Sequence, residues 1–94
     1  MRLTEKTIIR GLKKRVNLSG NKTACIFDDD VYTWRELDQI SDVAAGKLVD
    51  IGVKKGDHVG LLGVNTIEWL VCYYAIHKIG AIAVLLNYGY LEKE

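Results

Sequence analysis

The stretch from His58 to Leu86 constrains the fold more than any other part of the chain. An apolar run, His58-Val59-Gly60-Leu61-Leu62, leads through a turn at Gly63–Asn65 into Ile67 to Ile79, which is apolar nearly all round. Gly80 then precedes a second apolar run, Ala81 to Leu86. Short apolar runs bounded by glycine read as strands, and the longer segment between them reads as a helix that Thr66 can cap. Strand, helix and strand in this order make a βαβ unit, with parallel strands and a right-handed crossover. Both strands are expected to be buried on both faces, and the helix to be buried or to sit between layers.

Upstream stands a second well-marked helix. Thr33-Trp34-Arg35-Glu36 has capping-box form, because a Thr at the cap and a Glu three residues on can satisfy each other's backbone N–H groups. Trp34, Leu37, Ser41, Ala44, Leu48 and Ile51 then recur at helical spacing, and Gly52 supplies the stop. Val53 to Asp57 is a polar connection. Before the helix, Thr23 to Phe27 and Val31 to Thr33 have β character around Asp28-Asp29-Asp30, which predicts a β-hairpin. The three acids read as a turn. A calcium loop would need spaced oxygen ligands and a glycine, and neither is present.

The first segment is basic. Residues 1–22 hold seven Lys or Arg against one acid, Glu5, whereas the remainder holds six basic and eleven acidic residues, so the whole chain is nearly neutral at +1. Ile8, Leu12 and Val16, with Ile9 beside them, give Thr4 to Arg15 an apolar helical stripe, and Asn17 to Asn21 reads as a loop. Such a helix can meet a membrane surface or a partner. The plainer expectation is a helix packed on the core with a solvated basic face.

The 94 residues, 49% of them hydrophobic, suit one domain with a real core. The near-neutral balance argues against a dedicated nucleic-acid binder. No apolar run reaches the roughly 18–20 residues that span a bilayer. No signal peptide is visible, so Cys25 and Cys72 are expected to be buried, reduced thiols and the chain cytoplasmic. Proline is absent, which leaves glycine and Asp/Asn to make every turn.

A search for chemistry returns little. There is no Gly-x-Ser-x-Gly elbow, no phosphate loop of the Gly-x-Gly-x-x-Gly or Gly-Lys-Ser/Thr kind, and no metal-ligand spacing among His58, His77 and the cysteines. Each histidine reads as structural, and Trp69, Tyr73 and Tyr74 read as core rather than as a pocket wall. No catalytic, cofactor-binding or metal-binding residue is expected in this chain.

The order of the pieces says more than any one of them. Lys22 to Phe27 followed by Tyr32-Thr33-Trp34-Arg35-Glu36-Leu37-Asp38 resembles the opening of adenylate-forming (AMP-binding) enzymes, which include acyl-CoA synthetases. Leu48 to Val59, with Gly52, Gly56 and Asp57, resembles the family's Leu-Gly-Val-x-x-Gly-Asp-x-Val segment. Asn65-Thr66-Ile67-Glu68-Trp69 resembles its Asn-Ser/Thr-x-Glu-aromatic helix start, and His77 to Asn87, with Gly80, its Lys-x-Gly-Ala segment. The resemblance covers about residues 22–94. It marks Thr33, Glu36, Gly52, Gly56, Asp57, Asn65, Gly80 and Asn87 as structural motif positions. Val64 and Leu85 stand where relatives often carry proline. Gly89 stands near a position where some relatives carry an arginine linked to the CoA nucleotide.

The resemblance implies an N-terminal portion of a ligase whose full form activates a carboxylate with Mg-ATP and passes the acyl group to CoA. The family's phosphate-binding loop, ribose-gripping aspartate, magnesium-linked glutamate and catalytic lysine have no counterpart in this sequence. ATP, magnesium and CoA are thus expected to belong to the parent enzyme, and the chain alone is expected to be inactive. Residues 1–21 would be a leading basic helix and loop, and 22–94 the start of the AMP-binding domain. The expected fold is a layered α/β arrangement of a β-hairpin and a parallel βαβ unit with flanking helices. Its expected partner is the remainder of the parent enzyme, with self-association through an exposed apolar face as a further expectation. The alternative is a stand-alone, non-catalytic interaction module. An unrelated nucleotide-binding domain would need the phosphate loop that is missing.

Overall fold

A computed structural model describes residues 5–62 and 66–86, with side chains from Ile8 onward. The motif positions Asn65 and Asn87, and the expected turn at 63–65, lie outside the described residues. The elements run α1 (Glu5–Ser19), β1 (Thr23–Phe27), β2 (Asp30–Thr33), α2 (Trp34–Asp50), β3 (His58–Leu62), α3 (Ile67–Lys78) and β4 (Ile82–Leu86). β1 and β2 form an antiparallel hairpin, and β3 and β4 form a parallel pair in the register His58↔Ile82 to Leu62↔Leu86. The expected mixed α/β layering is therefore present.

The hairpin turns through Asp28 and Asp29. Asp28 takes a left-handed φ of 54°, which Asp tolerates better than most residues. A bulge between Thr23 and Cys25 shifts the register. Beyond it, Ile26 pairs with Val31 on the solvent side, and both are exposed.

Among the described residues, two clusters make the core. Leu12 of α1, Leu37 of α2 and Val71 of α3 meet between the three helices, with Val16, Trp34 and Tyr74 packed around them. Leu61, Ile76 and Ala81 form the second, between α3 and the parallel strands, with Leu48, Val53 and Trp69 at its edge. α3 contributes to both clusters, which explains why its sequence lacks a polar face. It sits between the other two helices and the parallel pair.

Three expectations are corrected. α1 continues to Ser19, so the expected loop at Asn17–Asn21 shrinks to a turn closed by Lys22 N–H donating to the Ser19 carbonyl at 2.9 Å. Val16 packs into the first cluster, and that contact holds the extra turn. Second, β3 and β4 are not buried on both faces. Val59, Leu61 and Ala83 face α3, but Leu62, Ile82, Val84 and Leu86 are exposed. α3 packs on one side of the pair, and no described residue covers the other. Third, Cys25 and Cys72 are free, but they are half-buried rather than fully buried.

Candidate functional site

Local sequence explains the ends of the helices. Thr33, in extended conformation, accepts from Glu36 N–H at 3.1 Å, and the Glu36 carboxylate accepts from Thr33 N–H at 2.9 Å, so the expected capping box is formed. Trp34 and Arg35 N–H groups donate to the carbonyls of Lys22 and Gly20, which ties the turn after α1 to the start of α2. Thr66 caps α3 by accepting from Trp69 N–H at 3.1 Å.

Both helices end in the same motif. At the end of α2, Gly52 N–H donates to the Val49 carbonyl and Val53 N–H to the Leu48 carbonyl. At the end of α3, Gly80 N–H donates to His77 and Ala81 N–H to Ile76. These are Schellman closures, and the glycine in each takes a positive φ, 101° at Gly52 and 75° at Gly80. Leu48 and Val53 share the second cluster, as do Ile76 and Ala81, so each closure also buries an apolar pair.

The structure brings Gly56, Asp57 and Gly80 together. Asp57 carboxylate accepts from Lys54 N–H at 2.8 Å and closes a turn in which Gly56 has φ 88°. Gly56 N–H donates to the Gly80 carbonyl at 3.0 Å, and Ile82 N–H donates to the Asp57 carbonyl at 2.7 Å. The turn before β3 is thereby bolted to the turn before β4, and this contact sets the parallel register. Thr33 and Glu36 lie apart from this junction, at the hairpin end of α2.

Sequence reasoning missed the densest polar cluster. Asp38, 8% exposed, accepts from Lys13 of α1 at 2.9 and 3.0 Å and from Lys78 of α3 at 2.7 Å. Lys78 also donates to the Asp38 backbone carbonyl at 2.8 Å and to Asp42 at 2.6 Å. The fully buried Ser41 hydroxyl donates to the same carbonyl at 2.9 Å. Burial raises the Asp38 pKa most as a single cause. The hydrogen bonds and charges of Lys78 and Lys13 together outweigh it and hold the carboxyl below its ordinary value. Only one weak signal marked this group in the sequence: an acid on the apolar stripe of α2, between Leu37 and Ser41.

A cleft beside this cluster is lined by Arg10, Lys13, Lys55, His77 and Lys78. Its innermost cations are neutralised, since Lys78 and Lys13 are spent on Asp38 and Asp42. An apolar groove elsewhere is lined by Tyr32, Ile40, Ile67, Val71 and Cys72. Trp69 stacks on Tyr73 at 5.5 Å, and Tyr73 meets His77 edge-on at 4.7 Å, a ladder along α3 that packs against the core. Burial pushes the Cys25 thiol up, away from the range of a nucleophile. Among the described residues no group of three His, Cys, Asp or Glu could hold a metal ion.

A model of the AMP-binding enzyme family matches residues 12–94. A 2-succinylbenzoate–CoA ligase of Listeria monocytogenes is 34% identical over 83 residues, which cover 88% of this chain and 18% of the relative. Its counterpart from Oceanobacillus iheyensis is 42% identical over 77 residues, 81% of this chain and 16% of the relative. Among solved structures, the anthranilate–CoA ligase AuaEII in complex with anthranoyl-AMP superimposes with a TM-score of 0.80 at 33% identity, covering 84% of this chain and 15% of that one. The o-succinylbenzoate–CoA synthetase of Bacillus subtilis, in complex with ATP and magnesium, gives 0.77 at 33% identity, covering 80% and 16%. The chain thus spans less than one fifth of the length of these relatives.

Proposed function

The chain belongs to the AMP-binding, adenylate-forming enzyme family, and from that premise we propose that it is the leading scaffold of an acyl-CoA ligase and not its reacting centre. The parent reaction joins a carboxylate to AMP with release of pyrophosphate, then transfers the acyl group to the CoA thiol with release of AMP. Relatives named for 2-succinylbenzoate and anthranilate support a carboxylate–CoA ligase of this kind.

The observation that carries the reading is the use of the charged groups. Lys13 and Lys78 are bound to Asp38, and Lys78 to Asp42, so they join helices instead of facing a ligand. A nucleoside triphosphate needs unpaired cations or a cradle of loop N–H groups, and magnesium needs spaced carboxylates. Lys13 and Lys78 are already paired, Arg10 and Lys55 line the cleft with no metal-holding group beside them, and no described group of His, Cys, Asp or Glu could hold magnesium, so no step on ATP or magnesium is assigned to these residues. ATP, magnesium and CoA belong to the rest of the parent. The motif positions Thr33, Glu36, Gly52, Gly56, Asp57 and Gly80 serve the reaction only by shaping the scaffold.

ATP–pyrophosphate exchange tests this. The 94-residue chain, offered 2-succinylbenzoate, anthranilate and a medium-chain fatty acid in turn, is expected to give no exchange above a buffer blank. Exchange by the chain alone overturns the reading. Grafted in place of the matching segment of the Listeria ligase, the same chain is expected to sustain exchange.

A second reading, a non-catalytic interaction module, draws on the exposed apolar face of β3 and β4. A stop codon directly after Glu94 in an expressed gene favours it over the ligase reading.

A further inference from the structure

The cleft where α1 passes the end of α3 carries more positive charge than the fold uses. It has a volume of about 650 Å³. Arg10 and Lys13 line it from α1, Lys78 from the end of α3, and Lys55 from the turn before β3. Lys78 is bound to Asp38 and Asp42, and Lys13 to Asp38. Arg10 and Lys55 are exposed, and among the residues with described side chains neither meets an acid. Beside these cations Ile9 and Ile79, both half-buried, give the cleft an apolar floor. Lys55 is also held in place. Its Cγ lies 3.0 Å and its Cδ 3.6 Å from where a β-carbon on Gly80 would stand, so its stem lies against the glycine. The neighbouring Gly56 N–H is bonded to the Gly80 carbonyl. The stem is thereby ordered before any ligand arrives, which lowers the entropy cost of binding.

We propose that this cleft docks an acidic segment of a partner protein, one that carries apolar side chains among its carboxylates. Such docking does not depend on the ligase reading. The two uncompensated cations come from different elements and share the cleft with two isoleucines, so its complement presents carboxylates and an apolar side chain together. A bare phosphate finds no cradle there. The N–H groups of Gly56, Ile79 and Gly80 are all bonded within the fold, and the carbonyl end of α3 repels a compact dianion. A membrane surface fits less well, because Leu12 and Val16 of the apolar stripe of α1 are packed in the first cluster and cannot insert. With a net charge of +1, the chain has no wider basic excess for a nucleic acid.

The test follows the fluorescence anisotropy of a short fluorescein-labelled peptide of alternating Glu and Leu, titrated with the 94-residue chain. A peptide of alternating Glu and Ser keeps the charge without the apolar side chains, and is expected to bind at least about fivefold more weakly. Arg10→Glu combined with Lys55→Glu is expected to weaken the Glu-Leu peptide by at least about tenfold, because like charges then face each other. Both side chains are exposed, so the circular dichroism of that variant is expected to be unchanged. Lys22→Glu combined with Lys47→Glu makes the same charge change outside the cleft, and is expected to alter binding by less than about twofold. Arg10→Gln combined with Lys55→Gln removes the charges without reversing them. It is expected to give a smaller loss, and it decides the matter if the reversed variant fails to fold.

A wild-type chain that shows no saturable binding of the Glu-Leu peptide overturns the proposal, as does a variant without the two cations that binds as well as the wild type. Equal binding of the two peptides also overturns it, in favour of plain charge attraction. Inorganic phosphate that displaces the peptide at equal concentration assigns the cleft to a small anion instead. Sedimentation with phosphatidylserine vesicles, lost in the reversed variant and seen without peptide binding, assigns it to a membrane. Dimerisation that is abolished both by the reversed variant and by Asp28→Asn, Asp29→Asn and Asp30→Asn together gives the cleft to the exposed acidic turn of a second copy, and overturns the partner reading.

Discussion

The Lys78 ammonium donates at 2.7 Å to the Asp38 carboxylate and at 2.8 Å to the Asp38 backbone carbonyl, so one side chain in the last turn of α3 grips both the side chain and the main chain of α2. Lys78 is 8% exposed at its side chain and Asp38 12%. Removing one member of a buried pair leaves the other charge without compensation. Lys78→Ala is therefore expected to destabilise the chain by about 3–5 kcal/mol. Lys13 reaches the same carboxylate but is 50% exposed, so Lys13→Ala is expected to cost under about 1 kcal/mol. Urea unfolding followed by circular dichroism separates the two. Equal costs would mean that the pair works as a surface bridge.

The same carboxyl sets an acid limit on stability. Its pKa is lower in the folded chain than in the unfolded one, so its contribution is fully present above the unfolded value, 3.8, and is lost as pH falls through the folded value. With respect to this group, stability is expected to be level from neutral pH down to about pH 5 and to decline below about pH 4. Asp38→Asn is expected to lower the plateau and to flatten the decline. A variant that keeps the full acid limb would assign that limb to other carboxylates.

Two glycines in one chain are expected to respond in opposite directions to the same substitution. Gly11 lies inside α1, and a β-carbon there would meet nothing within 4 Å. Gly11→Ala is expected to stabilise by up to about 1 kcal/mol, from helix propensity and a less mobile unfolded chain. Gly80 has φ 75°, and its β-carbon would stand 3.0 Å from Lys55 Cγ. Gly80→Ala is expected to cost about 1–2 kcal/mol for the left-handed backbone alone. Thermal melts of the pair check this. A stabilised Gly80→Ala would show that the α3 closure does not need its glycine.

Features legible in the sequence are those whose causes lie within a few residues of each other. Thr33 and Glu36 are three apart, and Gly52 and Gly80 follow their helices directly, so the caps and stops could be read from order alone. The hairpin and the βαβ unit followed from apolar runs and the turns between them. The extent of α1 was not legible, because Val16 extends it by packing against other helices. Nor was the Lys78–Asp38 grip, which joins residues 40 positions apart. The exposed outer face of β3 and β4 was misread for a related reason. An apolar strand states that it needs cover, not whether residues near it in sequence supply that cover.

Leu37 and Leu85 make the same point as a measurement. Both are leucines in apolar stretches, and sequence treats them alike. Leu37 is 1% exposed, where α2 meets α1 and α3, whereas Leu85 is 58% exposed on β4. Leu85 points to the α3 side of the pair by strand alternation, yet Leu61, its register partner on β3, is 7% exposed. Cover by α3 therefore ends between the two strands at this level. Leu37→Ala removes packed methyl groups and leaves a cavity among three helices, for an expected loss of about 2–5 kcal/mol. Leu85→Ala removes atoms already in water and is expected to stay within about 0.5 kcal/mol in the 94-residue chain. Unfolding curves of both variants of the 94-residue chain decide it, and a Leu85→Ala cost that rivals Leu37→Ala would show β4 already covered.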